Sequence, residues 1–172
     1  MRHEARLKNE GETIRFGMIL GESLLGGGRV YIKGSLGAGK TTLCRGVLRT
    51  FGFFGAVKSP TFTLIEPYEL SSGTIYHFDL YRLTDPDELE YIGLDEYFQH
   101  GNLCLVEWPE QAGQKLPAAD LEIELILKEK ARRIILKPKS SKGEDICNSA
   151  LNSWLKNRRH SERKTFCEYE ES

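Results

Sequence analysis

Long apolar runs and a bias toward one charge are both missing from this 172-residue sequence. Runs such as "LCLV" are far too short to span a membrane, and the start, "MRHEARLKNE", lacks the apolar core of a signal peptide. We therefore expect a cytoplasmic protein that does not contact a membrane. The formal net charge is -1, so the chain has no general positive coat for nucleic acid, and any such contact would be local.

Close cysteine pairs are also absent. Cys44, Cys104, Cys147 and Cys167 are widely separated, which excludes CxxC redox sites and the closely spaced ligands of small zinc sites. We expect free thiols that mostly fill the core. The sequence contains no internal repeat, and its length suits one domain with a tail.

What the sequence does contain is a glycine-rich stretch, "GSLGAGKTT", from Gly34 to Thr42. It matches the P-loop pattern G-x-x-x-x-G-K-[ST], in which glycines let backbone N–H groups turn inward around phosphates. A β-rich run, "RVYIK", precedes it and helical patterning from Thr41 to Phe51 follows it, as the motif requires. We expect Lys40 to reach the β- and γ-phosphates and the Thr41 hydroxyl to bind Mg²⁺. The alternative is a glycine-rich turn that caps an ordinary helix.

Two carboxylates are candidates for the rest of a hydrolytic site, which needs a further metal ligand and a group that places the attacking water. Asp79 and Glu107 each lie at the carboxyl end of a β-like run, in "TIYHFDLYR" and "NLCLVEWPE". Open α/β sheets bind their ligands at this edge. Either residue alone would be interpreted as a solvated strand end, but a P-loop in the same small domain favours a functional role for both.

Three other residues leave alternatives open. His77 shares a strand face with Asp79, so the pair could bind a metal, although a hydrogen-bonded structural histidine fits better because no third ligand is apparent. Ser59 and Thr61 lie on a proline-stiffened segment after the P-loop helix. They could act as a switch that senses Mg²⁺ or the γ-phosphate, or form a plain turn with local hydroxyl caps.

The remaining patterns predict an α/β fold of the P-loop NTPase type, with three layers and a mixed central β-sheet. Helical periodicity extends from Gly11 to Leu25, and another helix is predicted over "DPDELEYIGLDEYF", with Pro86 at its first position. The segments "KSPTFTLIEPY" and "DLEIELILKEKARRIILK" alternate as strands do, and the second predicts an antiparallel hairpin.

Six segments together resemble a known family. "GSLGAGKTT", "SPTFTLIEPY", "HFDLYRL", "ELEYIGLDEYF", "LVEWPE" and "LPAADLEIEL" occur in the order and at the spacing of the TsaE (YjeE) family of bacterial P-loop ATPases. The resemblance covers residues 7 to 138, and "SPTFT", "HFDLYR" and "VEWPE" are more specific to the family than the P-loop is.

That resemblance implies a role in making threonylcarbamoyladenosine (t6A), the modified nucleoside beside the anticodon of tRNAs that read codons starting with A. In the family, a TsaD–TsaB pair carries the transferase site. The ATPase binds this pair and supports its turnover by binding and hydrolysing ATP with Mg²⁺. Any contact with tRNA would occur through the TsaD–TsaB–TsaE complex.

The resemblance also implies roles for single residues. Lys40, Asp79 and Glu107 would be catalytic, with Thr41 and Glu107 as Mg²⁺ ligands and Asp79 in the metal and water shell. Trp108 matches a functionally important tryptophan of the family, although aromatic residues at strand ends also pack in cores and interfaces. The residues implied to bind the nucleotide are Glu10, Thr13, Gly37, Ala38, Gly39, Lys40, Thr41, Thr42, Trp108 and Arg133.

Two features depart from the family pattern. Ser35 stands where many members have Asp, which leaves the P-loop pattern intact and removes one acidic charge. The second feature is the end of the chain, which has no family pattern, so we place a P-loop ATPase domain at residues 1–138 and a C-terminal part at 139–172. That part is predicted to be a polar hinge, "KSSKGED", an amphipathic helix from Ile146 to Leu155, and a charged, mobile end. Its "KNRRHSERK" run could contact tRNA phosphates or an acidic partner, or simply be solvated.

Two other classes of function share the P-loop. A small-molecule kinase would need an acceptor pocket and usually an arginine-bearing lid, and the sequence shows neither. A nucleotide-gated binding module would bind ATP and hydrolyse it only incidentally. A GTPase is disfavoured, because the guanine-reading motif N-K-x-D does not occur.

Overall fold

The computed structural model describes residues 3–60 and 62–170, with side chains described as far as residue 159. Within this part of the chain, seven strands form one sheet, with four α-helices and two 3-10 helices around it. The strands are β1 (Glu4–Leu7), β2 (Gly28–Gly34), β3 (Ile65–Leu70), β4 (Gly73–Asp79), β5 (Leu103–Glu107), β6 (Leu121–Lys128) and β7 (Ala131–Pro138). The α-helices are α1 (Glu10–Glu22), α2 (Lys40–Thr50), α3 (Leu94–Tyr97) and α4 (Ser141–Glu170), and the 3-10 helices are Pro86–Ile92 and Pro109–Ala112.

The strands run in the order β1-β7-β6-β2-β5-β4-β3. β2 pairs in parallel with both β5 and β6, and β4 pairs in parallel with β5. The pairs β1–β7, β6–β7 and β3–β4 are antiparallel. The predicted α/β fold with a mixed central sheet is therefore confirmed, as is the predicted hairpin, which forms β6 and β7.

Helices α1, α2 and α4 pack on one face of the sheet, which we call the helical face. Their apolar side chains join those of the sheet in the larger of two buried clusters, with Phe16 and Leu48 fully enclosed. Glycines bring α1 and α2 close together, since a Cβ at Gly17 would lie 2.9 Å from the Cα of Gly46. This close packing fixes α2, and with it the loop before it, against the sheet.

The opposite face is covered by shorter segments around a smaller cluster that includes Phe78 and Leu89. The single helix predicted over residues 85–98 is instead a 3-10 helix, Pro86–Ile92, followed by the one-turn α3. The prediction was wrong because Gly93 adopts a left-handed conformation (φ 72°) and interrupts the helix. Pro86 does lie in the first turn, as predicted.

The C-terminal helix α4 begins at Ser141, inside the segment that was predicted as a hinge. That prediction was wrong because Ser140 Oγ accepts a hydrogen bond from the N–H of Gly143 at 3.1 Å and starts the helix there. Of the predicted amphipathic face, Ile146, Ala150 and Trp154 are buried, and Trp154 packs edge-on against Phe16 of α1 with ring centroids 5.4 Å apart, whereas Leu155 is exposed. The division at residue 138 and the mobility of the charged end stay predictions, and the side chains of "KNRRHSERK" from His160 onward lie outside those described.

Two expectations from composition concern membrane contact and thiols. Among the described residues, no helix combines the length and the apolar character that crossing a membrane requires. Cys44, Cys104 and Cys147 are free and buried, as predicted, whereas the side chain of Cys167 lies outside those described.

Candidate functional site

The glycine-rich stretch forms a tight loop between β2 and α2. Gly37 and Gly39 have φ angles of 76° and 104°, in the left-handed region that favours glycine. Gly39 is the N-cap of α2, and no described side chain caps this end of the helix. The first backbone N–H groups of α2 therefore have no partner within the helix, and the helix dipole makes this end attractive to an anion.

Lys40, the first residue of α2, turns its side chain back across the loop. Its Nζ donates hydrogen bonds to the carbonyl oxygens of Gly34 at 2.7 Å and Ser35 at 2.9 Å. The same Nζ lies 4.2 Å from the ring centroid of Trp108. Burial lowers the pKa of Lys40, and the nearby carboxylates, first that of Glu107, oppose this effect.

Glu107 is the last residue of β5, the strand beside β2, and its side chain is buried. The Thr41 hydroxyl donates to its carboxylate, with Oγ1 at 2.9 Å from Oε1 and 3.1 Å from Oε2. On the strand next to β5, His77 Nε2 lies 2.8 Å from Oε1 of the same carboxylate. These contacts agree with the interpretation of His77 as a hydrogen-bonded histidine.

A third side chain of a metal-ligand type, Cys44, lies beside His77 and Glu107, and the sequence did not reveal it. One ligand atom from each of Cys44, His77 and Glu107 lies within 4.8 Å of the others, and all three residues are buried. Burial, and then the Glu107 carboxylate, raise the pKa of the Cys44 thiol well above its ordinary value. The thiol also forms a side-chain hydrogen bond with the Glu107 carboxylate.

Asp79 is the last residue of β4 and pairs in register with Glu107 on β5. Its Oδ1 accepts a hydrogen bond from the N–H of Tyr81 at 2.9 Å, and its Oδ2 accepts one from the Ser59 hydroxyl. Burial raises the pKa of Asp79, and the Tyr81 N–H partly offsets this rise. The switch role of Ser59 stays a prediction, and Thr61 lies outside the described residues.

Trp108 follows Glu107 in a left-handed backbone conformation (φ 58°), which is uncommon for a bulky residue. Its backbone N–H donates to the carbonyl of Ile32 on β2 at 3.3 Å, so the turn is hydrogen-bonded to the strand before the P-loop. Its ring packs on that of Tyr81 with centroids 4.9 Å apart. The turn thereby directs the indole toward the P-loop lysine instead of continuing the alternation of β5.

These groups surround a cavity of about 300 Å³ in front of the P-loop. Nine residues predicted for the site line it: Glu10, Gly37, Gly39, Lys40, Thr41, Thr42, Asp79, Glu107 and Trp108. Thr13 and Ala38 are fully buried instead, and the Thr13 hydroxyl donates to the carbonyl of Asn9 at 3.1 Å. The roles assigned to all of these residues stay predictions.

Arg132, rather than the predicted Arg133, lines the cavity. Arg132 Nε donates to the carbonyl of Ala38 at 3.0 Å, whereas Arg133 Nε donates to Oε2 of Glu4 at 3.0 Å on β1. Neighbouring residues on a strand point to opposite faces, and Arg132 shares its face with Ile134, which is buried on the helical face. The sequence could have identified Arg132, because it lies two residues before the apolar Ile134 and therefore on the same face of β7. Leu36 and Tyr81 also line the cavity and were not predicted.

The groups around the cavity fit a nucleotide phosphate with a hard divalent cation. The hydroxyl oxygen of Thr41 and the carboxylate of Glu107 already lie within 3.1 Å of each other, and both are the kind of oxygen ligand that Mg²⁺ prefers. The uncapped start of α2 and the Lys40 ammonium suit phosphate oxygens. The arrangement can therefore hold a phosphate chain and a cation next to two buried carboxylates.

Comparison with known proteins identifies the family of the chain. A family model described as "Threonylcarbamoyl adenosine biosynthesis protein TsaE" matches residues 7–135. The chain belongs to the TsaE family. A Haemophilus influenzae protein named tRNA threonylcarbamoyladenosine biosynthesis protein TsaE is 43% identical over 151 residues, which cover 85% of this chain and 96% of that protein. A TsaE protein of Bacillus subtilis is 45% identical over 92 residues, or 54% of this chain and 57% of that protein.

A solved structure supports the same family assignment. The crystal structure of Bacillus subtilis YdiB superposes with a TM-score of 0.69 and 29% sequence identity, and the match covers 87% of this chain and 94% of that one. The resemblance to the TsaE family and the predicted fold are both confirmed. The 172-residue chain therefore combines a TsaE-type fold with the cavity described above.

Proposed function

We propose that this TsaE-family chain binds and hydrolyses ATP with Mg²⁺ and thereby supports a TsaD–TsaB transferase that makes t6A in tRNA. The observation that carries the ATPase part is the convergence of Lys40, Thr41 and Glu107 on one cavity at the start of α2. The family and the names of its relatives support the part that concerns tRNA modification.

Thr41 and Glu107 would hold the cation from two sides, one from α2 and one from β5. Bound Mg²⁺ would supply charge neutralisation on the β- and γ-phosphates. The backbone N–H groups of the loop and of the first turn of α2 bind phosphate oxygens. Lys40 exchanges its two carbonyl partners, Gly34 and Ser35, for phosphate oxygens, where its charge stabilises the transition state.

Asp79 has the position of a group that orients water. It lies in register with Glu107 and lines the same cavity, and its carboxylate is fixed by the Tyr81 N–H and the Ser59 hydroxyl. A carboxylate whose pKa is raised by burial is a better proton acceptor than a solvated one. Asp79 would therefore place and polarise the attacking water while Glu107 serves the cation.

The test measures ATP hydrolysis in the presence of purified TsaD and TsaB. Lys40→Ala and Glu107→Gln should each reduce turnover at least about a hundredfold, because each removes a charge from the site of phosphoryl transfer. Lys33→Ala and Glu124→Gln are matched controls, since both side chains form ion pairs outside the cavity, with Glu122 and Lys137. Unchanged turnover in both site variants would contradict the ATPase proposal.

Three further experiments test the partnership and distinguish the other classes of function. A pull-down from a bacterial lysate with and without ATP should recover TsaD and TsaB, and their absence in both conditions would remove the proposed partnership. A phosphorylated product after incubation with nucleosides and labelled ATP would indicate a kinase instead. A Glu107→Gln protein that binds ATP, does not hydrolyse it and still supports t6A formation in cells would indicate a nucleotide-gated binding module.

A further inference from the structure

We propose that His77 is a positioning residue that holds the Glu107 carboxylate in the orientation a divalent cation requires at the P-loop. This inference rests on the proposed function, because Glu107 is the residue through which His77 would act. His77 itself does not line the cavity, and its side chain is fully enclosed in the protein. It meets the site through its hydrogen bond with Glu107.

Both oxygens of the Glu107 carboxylate contact the Thr41 hydroxyl, and one of them also contacts His77. Oε1 is 2.8 Å from His77 Nε2 and 2.9 Å from Thr41 Oγ1, whereas Oε2 is 3.1 Å from Thr41 Oγ1. A cation bound by Thr41 and Glu107 would replace the contact between those two residues. The His77 hydrogen bond comes from the neighbouring strand β4 and can persist. His77 therefore continues to bind Glu107 when Thr41 changes partner.

The sheet fixes His77 relative to Glu107. His77 pairs in register with Leu105 on β5, and Glu107 lies two residues further along, on the same side of the sheet. A glutamate side chain has several rotatable bonds, and the imidazole of the neighbouring strand restricts them by holding one oxygen. Parallel pairing of β4 and β5 therefore places the imidazole against one oxygen of the carboxylate while both oxygens remain within reach of Thr41.

The contacts also assign the proton on the imidazole. Nε2 faces a carboxylate oxygen and therefore donates to it, whereas Nδ1 is buried and has no hydrogen-bond partner among the described residues. A side chain that only filled this core position would gain by being apolar, because a buried polar atom without a partner destabilises the fold. The hydrogen bond to Glu107 accounts for a histidine at this place where packing alone does not.

Three substitutions separate the hydrogen bond from the packing. Gln extends its amide nitrogen about as far as Nε2, so His77→Gln can still donate to Glu107. His77→Asn reaches only as far as Nδ1, and His77→Leu has no donor and adds no buried polar group. Leu105→Val is the matched control, since it alters packing beside His77 in the same layer without touching the Glu107 carboxylate.

The primary measurement is the affinity of the ADP-loaded full-length protein for Mn²⁺, read by electron paramagnetic resonance as a substitute for Mg²⁺ binding. His77→Asn and His77→Leu should weaken Mn²⁺ binding about tenfold or more, which is the usual effect of losing a group that orients a metal ligand. His77→Gln should stay within about threefold of the native affinity, and Leu105→Val should match the native protein. In hydrolysis assays, the Mg²⁺ concentration for half-maximal turnover should rise in parallel, with ADP affinity in the absence of metal unchanged.

Two results would overturn the proposal. One is a native Mn²⁺ affinity in both His77→Asn and His77→Leu, neither of which can donate to Glu107, and the other is an equal loss in His77→Gln and His77→Asn, which would point to packing. Circular dichroism melting identifies any variant that fails to fold, and His77→Asn and His77→Leu serve as replacements for each other. If the native protein binds Mn²⁺ with ADP but does not hydrolyse ATP, the proposed function fails while the Mn²⁺ affinities still decide the role of His77.

Discussion

One face of the central sheet is covered by α1, α2 and α4, whereas the opposite face is covered by two 3-10 helices and the one-turn α3. On the helical face, the long helices α1 and α2 contact each other closely at Gly17 and Gly46. The opposite face combines aliphatic side chains with aromatic rings, such as the pair Phe78 and Phe98 with centroids 5.4 Å apart. Both faces are apolar, but they differ in the length of the segments that cover them.

The helical face also carries the buried polar side chains. Among the described residues, those buried are Glu12, Thr13, Lys40, His77, Asp79 and Glu107. The first three are on α1 and α2, and the others share the side of β4 and β5 that faces these helices. Chemistry is therefore concentrated where the uncapped start of α2 meets the carboxyl ends of the strands, and the opposite face contributes packing.

The largest expected effect is on the free energy of unfolding, when a buried leucine on each face is replaced by alanine. Leu48→Ala on α2 should lower the free energy of unfolding by about 4–5 kcal/mol, and Leu89→Ala in the 3-10 helix by about 2–3 kcal/mol. Both side chains are fully buried, but short segments can close over a new cavity more easily than packed helices can. Equilibrium urea unfolding measures both values. Equal losses of unfolding free energy would show that the two faces relax alike around a cavity, and would contradict the expected difference between them.

A smaller effect tests the contact between α1 and α2. Gly46→Ala should destabilise the protein by about 2 kcal/mol, because the new Cβ would collide with the carbonyl oxygen of Ile14 and lie 2.8 Å from the Cα of Gly17. Gly26→Ala is the control, since a Cβ there meets nothing within 4 Å. The urea midpoints of the two variants should differ clearly, and similar midpoints would mean that the helices can separate without strain.

The smallest effect concerns Arg132 and Arg133, neighbours on β7 that point to opposite faces of the sheet. Arg132→Ala removes a charged hydrogen bond to the P-loop carbonyl of Ala38, so calorimetry should show ADP binding weakened about tenfold. Arg133→Ala removes a partly exposed ion pair with Glu4 and should change ADP affinity less than about twofold. A larger loss of ADP affinity in Arg133→Ala than in Arg132→Ala would instead support the nucleotide-binding role that the family resemblance implied for Arg133.

Local patterns predicted much of the fold and the site. The P-loop could be found because its glycines, lysine and threonine are contiguous, and the strand before it and the helix after it show the required periodicity. Asp79 and Glu107 could be found because each ends an apolar run. In each case the signal lies within about ten residues, which is the range over which periodicity and capping act.

Contacts between distant segments explain what was missed. β1 has four residues, too few to show alternation, and it is held by pairing with β7. The contact of His77 and Cys44 with Glu107 depends on the packing of α2 and β4 around β5, which no local pattern records. The break at Gly93 and the start of α4 at Ser141 are different, because they arise from local backbone conformation and from capping by Ser140, which periodicity alone does not reveal.

The two tryptophans of the chain lie in these different surroundings and provide separate fluorescence probes. The Trp108 indole lies beside the Lys40 ammonium and the Tyr81 ring, at the cavity wall. Trp154 is buried between α4 and α1 against Phe16, away from the cavity. The tryptophan emission of a Trp154→Phe protein would therefore come only from the cavity wall, and that of a Trp108→Phe protein only from the helical core, so that changes at the cavity and unfolding can be followed independently in one fold.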